Sequence, residues 1–186
     1  MMKKFLKIFG IIIASLVLLY FIACLAGPSE LKVTRSITIN APASEVFVQV
    51  GDFSNWSKWS MWSQRDQNMQ STYEGDPMMV HHKWQWKSTE GNGTQTITSV
   101  ILNEEIKSDL LFEGFQDPNK STFNFKESGA SDDVSVPCAT CTTEVSWTMD
   151  MGKIPFQYRG MMFMFQGSLI KDFEGGLANL KKVCES

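Results

Sequence analysis

The chain has 186 residues with 17 basic and 20 acidic side chains and a net charge of −3, enough for one domain with a real core and a leader. Outside the first residues there is no lysine–arginine cluster, so nucleic-acid binding has no electrostatic footprint.

Lys3, Lys4 and Lys7 precede an apolar run from Ile8 to Ala26, about 20 residues and so long enough to cross a bilayer core as a helix. Three readings compete. A cleaved signal peptide has a shorter apolar core, about 7–15 residues, and a small-residue cleavage site. A lipoprotein signal fits Ile22-Ala23-Cys24, but Phe21 stands where an aliphatic residue is usual. An uncleaved signal anchor fits best, and no polar face marks the run as a core helix. The lysines keep the N-terminal end in the cytoplasm by the positive-inside rule. The expectation is therefore a single-pass protein of the cytoplasmic membrane with its globular part on the extracytoplasmic side. Gly27-Pro28 breaks the helix, giving residues 1–28 as anchor and 29–186 as domain.

Ile37 and Ile39 alternate with polar residues, the mark of a half-buried strand. Asn40-Ala-Pro42 stops that strand and starts a helix, since proline fits the first helical turn, and Val46, Phe47 and Val50 give the helix one apolar face. Asp52 to Trp62, with Trp56 and Trp59, reads as a second short helix or a turn. From Met69 the period is almost wholly two. It predicts strands at Met69–Tyr73, Met79–Trp86, Thr94–Leu102, Ile106–Phe112, Ser121–Lys126 and Thr143–Asp150, separated by turn formers. Strands so closely spaced pair antiparallel. From Tyr158 the period becomes helical, with Phe163, Gln166, Ile170, Phe173, Leu177, Leu180 and Cys184 as one stripe. The predicted class is α+β: a curved antiparallel sheet wrapped around a long C-terminal helix, the only long amphipathic element left to cover it.

Particular residues sharpen this. Arg35–Phe47 is followed by Trp56-x-x-Trp59-x-x-Trp62, Gly75 precedes the strand with Trp84 and Trp86, and Gly91-Asn-Gly93 precedes the next. Thr143–Met149 carries Trp147, and Asp172-Phe-Glu-Gly-Gly-Leu-Ala-Asn-Leu-Lys181 closes the chain. With these residues the chain resembles the SRPBCC superfamily (START-like, polyketide cyclase-like domains), and in particular its membrane-anchored bacterial group. The resemblance covers essentially everything after Ser29. It implies the helix-grip fold and a hydrophobic cavity between sheet and helix.

Alternation sorts each strand into faces. Val80, His82, Trp84 and Trp86 point one way, and His81, Lys83, Gln85 and Lys87 the other. The first set is expected to face the helix, as are Ile106, Ser108, Leu110 and Phe112, then Phe123 with Phe125, and Val145 with Trp147 and Met149. Singly, such aromatics are as readily core residues; together with the Met161–Phe165 cluster they describe a small-molecule pocket. The candidate ligand-binding set is Trp62, His82, Trp84, Trp86, Phe112, Phe125, Trp147, Phe163, Ile170 and Phe173. The expected ligand is a small apolar or amphipathic molecule, such as a lipid or metabolite.

His82 is the one titratable residue on that face, open to three roles: ligand hydrogen-bonder, acid–base group or satisfied rim histidine. No carboxylate shares its face on the same strand, and no Ser-x-x-Lys, Gly-x-Ser-x-Gly, His-Glu-x-x-His or phosphate-cradling loop occurs. Two rivals stand beside ligand binding: a polyketide cyclase or aromatase-type enzyme using His82, and a protein-interaction module whose pocket is filled by its own aromatics. No catalytic set, metal site or cofactor is expected. Cys138 and Cys141, spaced Cys-x-x-Cys in a small-residue loop, suit a short-range disulfide in an oxidising compartment, with free thiols, metal and redox roles as alternatives.

Thiol labelling of whole cells tests compartment and pairing together. Cys138 and Cys141 should react only after reduction, and full labelling without reductant would contradict both.

Overall fold

The computed structural model describes residues 2–129 and 141–186. They fall into two compact units: residues 32–151 with 169–186, and residues 1–31 with 152–168. Cys138 lies outside the described residues, so its pairing with Cys141 stays an expectation.

Seven strands form one curved antiparallel sheet in the order β1-β7-β6-β5-β4-β3-β2. They are β1 (Glu30–Ile39), β2 (Gln70–Glu74), β3 (Lys83–Lys87), β4 (Gly93–Ile101), β5 (Glu105–Phe112), β6 (Asn119–Ser128) and β7 (Thr142–Lys153). The register slips between Ile97 and Ser99 in β4, a bulge that bends the strand. The strand expected over Met79–Trp86 is shorter than its pattern. Met78 and His81 adopt positive φ of 63° and 73°, so Met79–His82 forms a turn and the strand itself is Lys83–Lys87, although the His81 N–H and the His82 carbonyl still bond Ile97 of β4 (2.9 Å each). Val80 is consequently exposed instead of facing in.

Helices precede the main run of strands: α1 (Met2–Ala26), α2 (Ala43–Gly51), α3 (Trp56–Trp59) and α4 (Met61–Arg65); the long α5 (Arg159–Cys184) follows it. Val46, Phe47 and Val50 of α2 are all buried, as their spacing predicts. The Ala43 N–H at its start donates to the Glu127 carboxylate (2.6 Å), which suits the positive end of a helix. At its other end the indole N–H of Trp56 donates to the Val50 carbonyl (2.8 Å) and that of Trp59 to the Gln49 carbonyl (3.1 Å). A helix end leaves such carbonyls without partners. The tryptophan corner supplies donors and buries its rings at the same time, which explains why this polar-handled aromatic recurs there.

Within its unit, the Leu169–Cys184 part of α5 lies on the concave face. Its buried side is Leu169, Asp172, Phe173, Gly176, Leu177 and Leu180, the 3–4 spacing of one helical face. Phe173, Leu177 and Leu180 of the expected stripe belong to it, whereas Ile170 is half-buried and Phe163 is 55% exposed. Ile170 stands seven residues before Leu177, a step that drifts about 20° from a straight 3.6-residue period and takes it to the edge of the buried helical face, whereas Phe163 belongs to the other compact unit. Arg35–Glu174 (2.9 Å), Lys181 Nζ to the Thr38 carbonyl (2.6 Å) and the Asn40 N–H to Glu185 (2.6 Å) tie this half of α5 to the β1 segment. Gly176 faces Trp147, which a Cβ there would meet at 3.4 Å, an ordinary contact distance.

The other unit contains α1, the Phe156–Tyr158 turn and the front of α5. Lys4–Ala26 is long and apolar enough to cross a membrane. Near its end Tyr20 donates its hydroxyl to the Gln157 carbonyl, and Phe21 meets Phe156 edge-on with ring centroids 5.5 Å apart. Gly160 is close enough that a Cβ would contact Cys24, Ala23 and Tyr20 at 3.2–3.3 Å.

Gly93 has a packing role. A Cβ there would overlap the Trp86 ring and approach the Leu111 carbonyl to 2.8 Å. Gly93→Ala should therefore cost about 1–3 kcal/mol by overpacking, read as a lowered thermal midpoint. An unchanged midpoint would show that the ring moves aside freely.

Candidate functional site

The concave face is an unbroken run of aromatic contacts. Phe112 meets Trp86 (5.8 Å between centroids), Trp86 meets Trp84 (4.8 Å), and Trp84 meets Trp56 (5.9 Å). Trp56 and Trp59 reach Trp147 at 5.8 Å each, and Trp147 stacks on Phe173 of α5 at 3.8 Å with the rings 7° from parallel. Phe123 covers the other side of Trp147 (4.8 Å) and stacks with Phe125 (6.5 Å). Around Trp147 the space between sheet and helix is filled: Trp59, Trp147, Phe123 and Phe173 are each 1% exposed or less.

Polar groups on this face are matched to the rings. Trp84 Nε1 donates to Ser71 Oγ (3.0 Å), Trp147 Nε1 to Ser121 Oγ (3.1 Å), and buried Gln95 Nε2 to buried Ser108 Oγ (2.9 Å). Pairing is what makes such burial tolerable, because an unmatched polar group would cost about 1–3 kcal/mol.

His82 is buried, as its expected phase suggests, but from a turn and not a strand. Its Nε2 accepts the Phe53 backbone N–H (3.3 Å), and its Nδ1 lies 3.2 Å from the Gly75 carbonyl. Accepting at one nitrogen and donating at the other fixes the neutral Nδ1–H tautomer. The ring also stacks on Phe53 at 5.0 Å. Both nitrogens are therefore engaged by main chain, the satisfied-histidine arrangement among the roles expected for it.

The packing loosens toward the β3–β4 end of the sheet. Trp62 is half-buried, edge-on to Trp147 (5.7 Å) and Phe173 (6.2 Å). Phe112 is 36% exposed at the end of β5. Beside it opens a groove of about 680 Å³ lined by Trp86, Leu111, Phe112 and Phe115 with polar Gln70, Thr72, Gln85, Lys87, Asn92, Thr94 and Glu113. By register Gln85, Lys87, Thr94 and Leu111 share the face opposite to Trp86 and Phe112, so the groove lies at the end of the sheet and runs onto its outer face. The structure thus brings Trp62, Trp84, Trp86, Phe112, Phe125, Trp147 and Phe173 onto one connected aromatic face. Among the described ring contacts His82 reaches it through Phe53, Ile170 is half-buried on α5, and Phe163 belongs to the other compact unit.

A charged cluster lies in the same unit. Arg65 of α4 pairs with Asp172 of α5 and, at 3.3 Å, with Glu90 of the β3–β4 turn. Burial pushes the Asp172 carboxyl above its ordinary value, against the pull of Arg65. Asp66 next to it is pulled below the usual range by N–H donors from Thr89 (2.8 Å) and Asn68 (2.9 Å) and by the Thr89 hydroxyl. The sequence reading singled out none of Arg65, Asp66, Glu90, Gln95 or Asp172 for a role. For Gln95 the signal was available: its alternation with Ile97 puts an amide on the inward face. The carboxylates meet their partners only through tertiary contacts. Among the described residues no cluster of three or more His, Cys, Asp or Glu could hold a metal.

Residues 30–185 match the family model described as polyketide cyclase / dehydrase and lipid transport. The chain belongs to this family. Its fold is shared by solved structures of low sequence identity. The Aha1 dimer from Colwellia psychrerythraea is 14% identical with a TM-score of 0.57, covering 83% of this chain and 96% of that one. Protein BH1534 from Bacillus halodurans is 13% identical with a TM-score of 0.59, covering 85% and 100%. Protein jhp0584 from Helicobacter pylori is 8% identical with a TM-score of 0.58, covering 84% and 89%. At such identities the likeness is one of fold. No curated protein matches the chain.

The two aspartates give this family member opposite acid responses. The contribution of Asp66 is present above the unfolded value near pH 4 and lost as pH falls through its depressed folded value. Ionised Asp172 instead costs stability at neutral pH, a cost relieved as pH falls through its raised folded value. Asp66→Asn should therefore be destabilised at neutral pH, with the gap to wild type closing in acid. Asp172→Asn should compare better with wild type at neutral pH than at about pH 4. Urea titrations across that range decide it; parallel trends for the two variants would refute the assignment.

Proposed function

We propose that this family member binds a small hydrophobic or amphipathic molecule, such as a lipid, against the aromatic concave face, entering at the Trp86–Phe112 end. The observation that carries the reading is the exposed Phe112 end of the aromatic face, joined by ring contacts to Trp86 and Trp84 and standing beside an open groove at the end of the sheet. The rings suit an acyl chain or fused ring, and the polar rim of the groove, with Gln85, Lys87, Asn92 and Glu113, suits a polar end. The family's description, which includes lipid transport, points the same way. On this reading Trp62, Trp84, Trp86 and Phe112 meet the ligand. Trp147, Phe125 and Phe173 support them from behind, and His82 holds the Phe53 segment. An enzyme built on His82 finds no support in a ring whose two nitrogens are taken up by main chain.

We further propose that α1 is an uncleaved anchor that presents residues 29–186 on the extracytoplasmic side. Lys3, Lys4 and Lys7 ahead of the apolar helix support that orientation.

The ligand reading is tested by titrating a fluorescent fatty acid into the protein and following energy transfer from tryptophan. Saturable binding is expected, weakened about tenfold by Trp86→Ala or Phe112→Ala, the equivalent of about 1.4 kcal/mol of aromatic contact. Circular dichroism would confirm that the variants keep their fold. Absence of saturable binding would sink the proposal and favour an interaction module whose concave face is filled by its own side chains.

A further inference from the structure

The Met161–Phe165 cluster is not used by the concave face. Met161, Phe163, Met164 and Phe165 are 57%, 55%, 84% and 41% exposed, with Phe156 at 39% and Tyr158 at 47%. Five consecutive apolar residues make this turn of α5 apolar all round, a pattern that belongs inside a protein or a membrane.

Its surroundings indicate which. The turn is fastened to the end of α1 by the Tyr20–Gln157 hydrogen bond, the Phe21–Phe156 ring contact and the close approach of Gly160 to Tyr20, Ala23 and Cys24. Tyr20 lies about one and two-thirds turns before Ala26, roughly 9 Å along the axis. That is the depth to which interfacial helices bury their apolar side, about 5–10 Å. From Met151 to Lys171 there is no acidic residue, whereas Lys153, Arg159 and Lys171 are basic. Aromatic side chains beside basic ones are what the headgroup layer of an anionic bilayer attracts.

We propose that the front of α5, Met161–Phe165 together with Phe156 and Tyr158, is a second membrane contact that lies in the interfacial layer of the bilayer α1 crosses and favours anionic lipid. It rests on the reading of α1 as a membrane span. The contact adds apolar area and a basic rim to what a single anchoring helix provides.

The test uses the full chain in nanodiscs of phosphatidylethanolamine with phosphatidylglycerol, doped with a phospholipid carrying a diazirine high on its acyl chain. After irradiation and trypsin, lipid adducts are mapped by mass spectrometry. Adducts are expected on the α1 peptide and on Gly160–Lys171, the latter falling about tenfold in a Phe163→Glu, Met164→Glu variant and falling also when phosphatidylglycerol is omitted. If that double variant misfolds, Met164→Glu alone serves, since Met164 is the most exposed of the cluster. Adducts on α1 with none on Gly160–Lys171 above the level of the Ser36–Lys58 peptide, which holds none of the proposed ligand contacts, overturn this inference alone and leave that turn to a protein partner or a second copy. Absence of adducts from α1 as well overturns the anchor, and this inference with it.

Discussion

The stack of Trp147 on Phe173 is the contact on which the domain depends. A curved antiparallel sheet leaves a concave apolar face that must be covered, and here one indole on β7 meets one phenyl ring on α5 at 3.8 Å. Trp56, Trp59 and Phe123 close around the same indole. Core aromatics of this kind contribute about 3–5 kcal/mol each when truncated, a large share of the stability of any domain. The helix, the sheet and the tryptophan corner are thus three elements joined through one ring.

The tryptophan corner shows how one residue type answers two demands. Trp56 and Trp59 bury large apolar areas, and their N–H groups take up the Val50 and Gln49 carbonyls that α2 leaves open. Ser71 and Ser121 do the reverse for Trp84 and Trp147, supplying small hydroxyl acceptors on the opposite strands. His82 follows the same rule, matched on both nitrogens.

The chain divides its apolar surface between two environments. Trp86 and Phe112 line an open groove at the β3–β5 end, while the aromatics at the front of α5 fall in the compact unit that contains α1. Phe163 and Phe173 sit on one helix and separate on this basis, the first exposed and the second wholly buried.

The sequence by itself determined the class of the fold. Period-two strands, a change to helical period at Tyr158 and the tryptophan spacing left one way to cover the sheet, and Ile106, Leu110, Phe123, Phe125, Val145, Trp147 and Met149 are buried on the predicted phase. Periodicity is a local property, so it survives folding wherever neighbours do not override it. It failed where the backbone turned, at Met78 and His81 with positive φ, and where a seven-residue step took Ile170 to the edge of the buried face of α5. Only the tertiary structure decided which inward aromatics are packed shut around Trp147 and which stay open near Phe112, because enclosure depends on distant elements that alternation cannot see. It likewise brought Arg65 to Asp172 and Asp66 to Thr89, since charges separated along the chain acquire partners only when the fold closes.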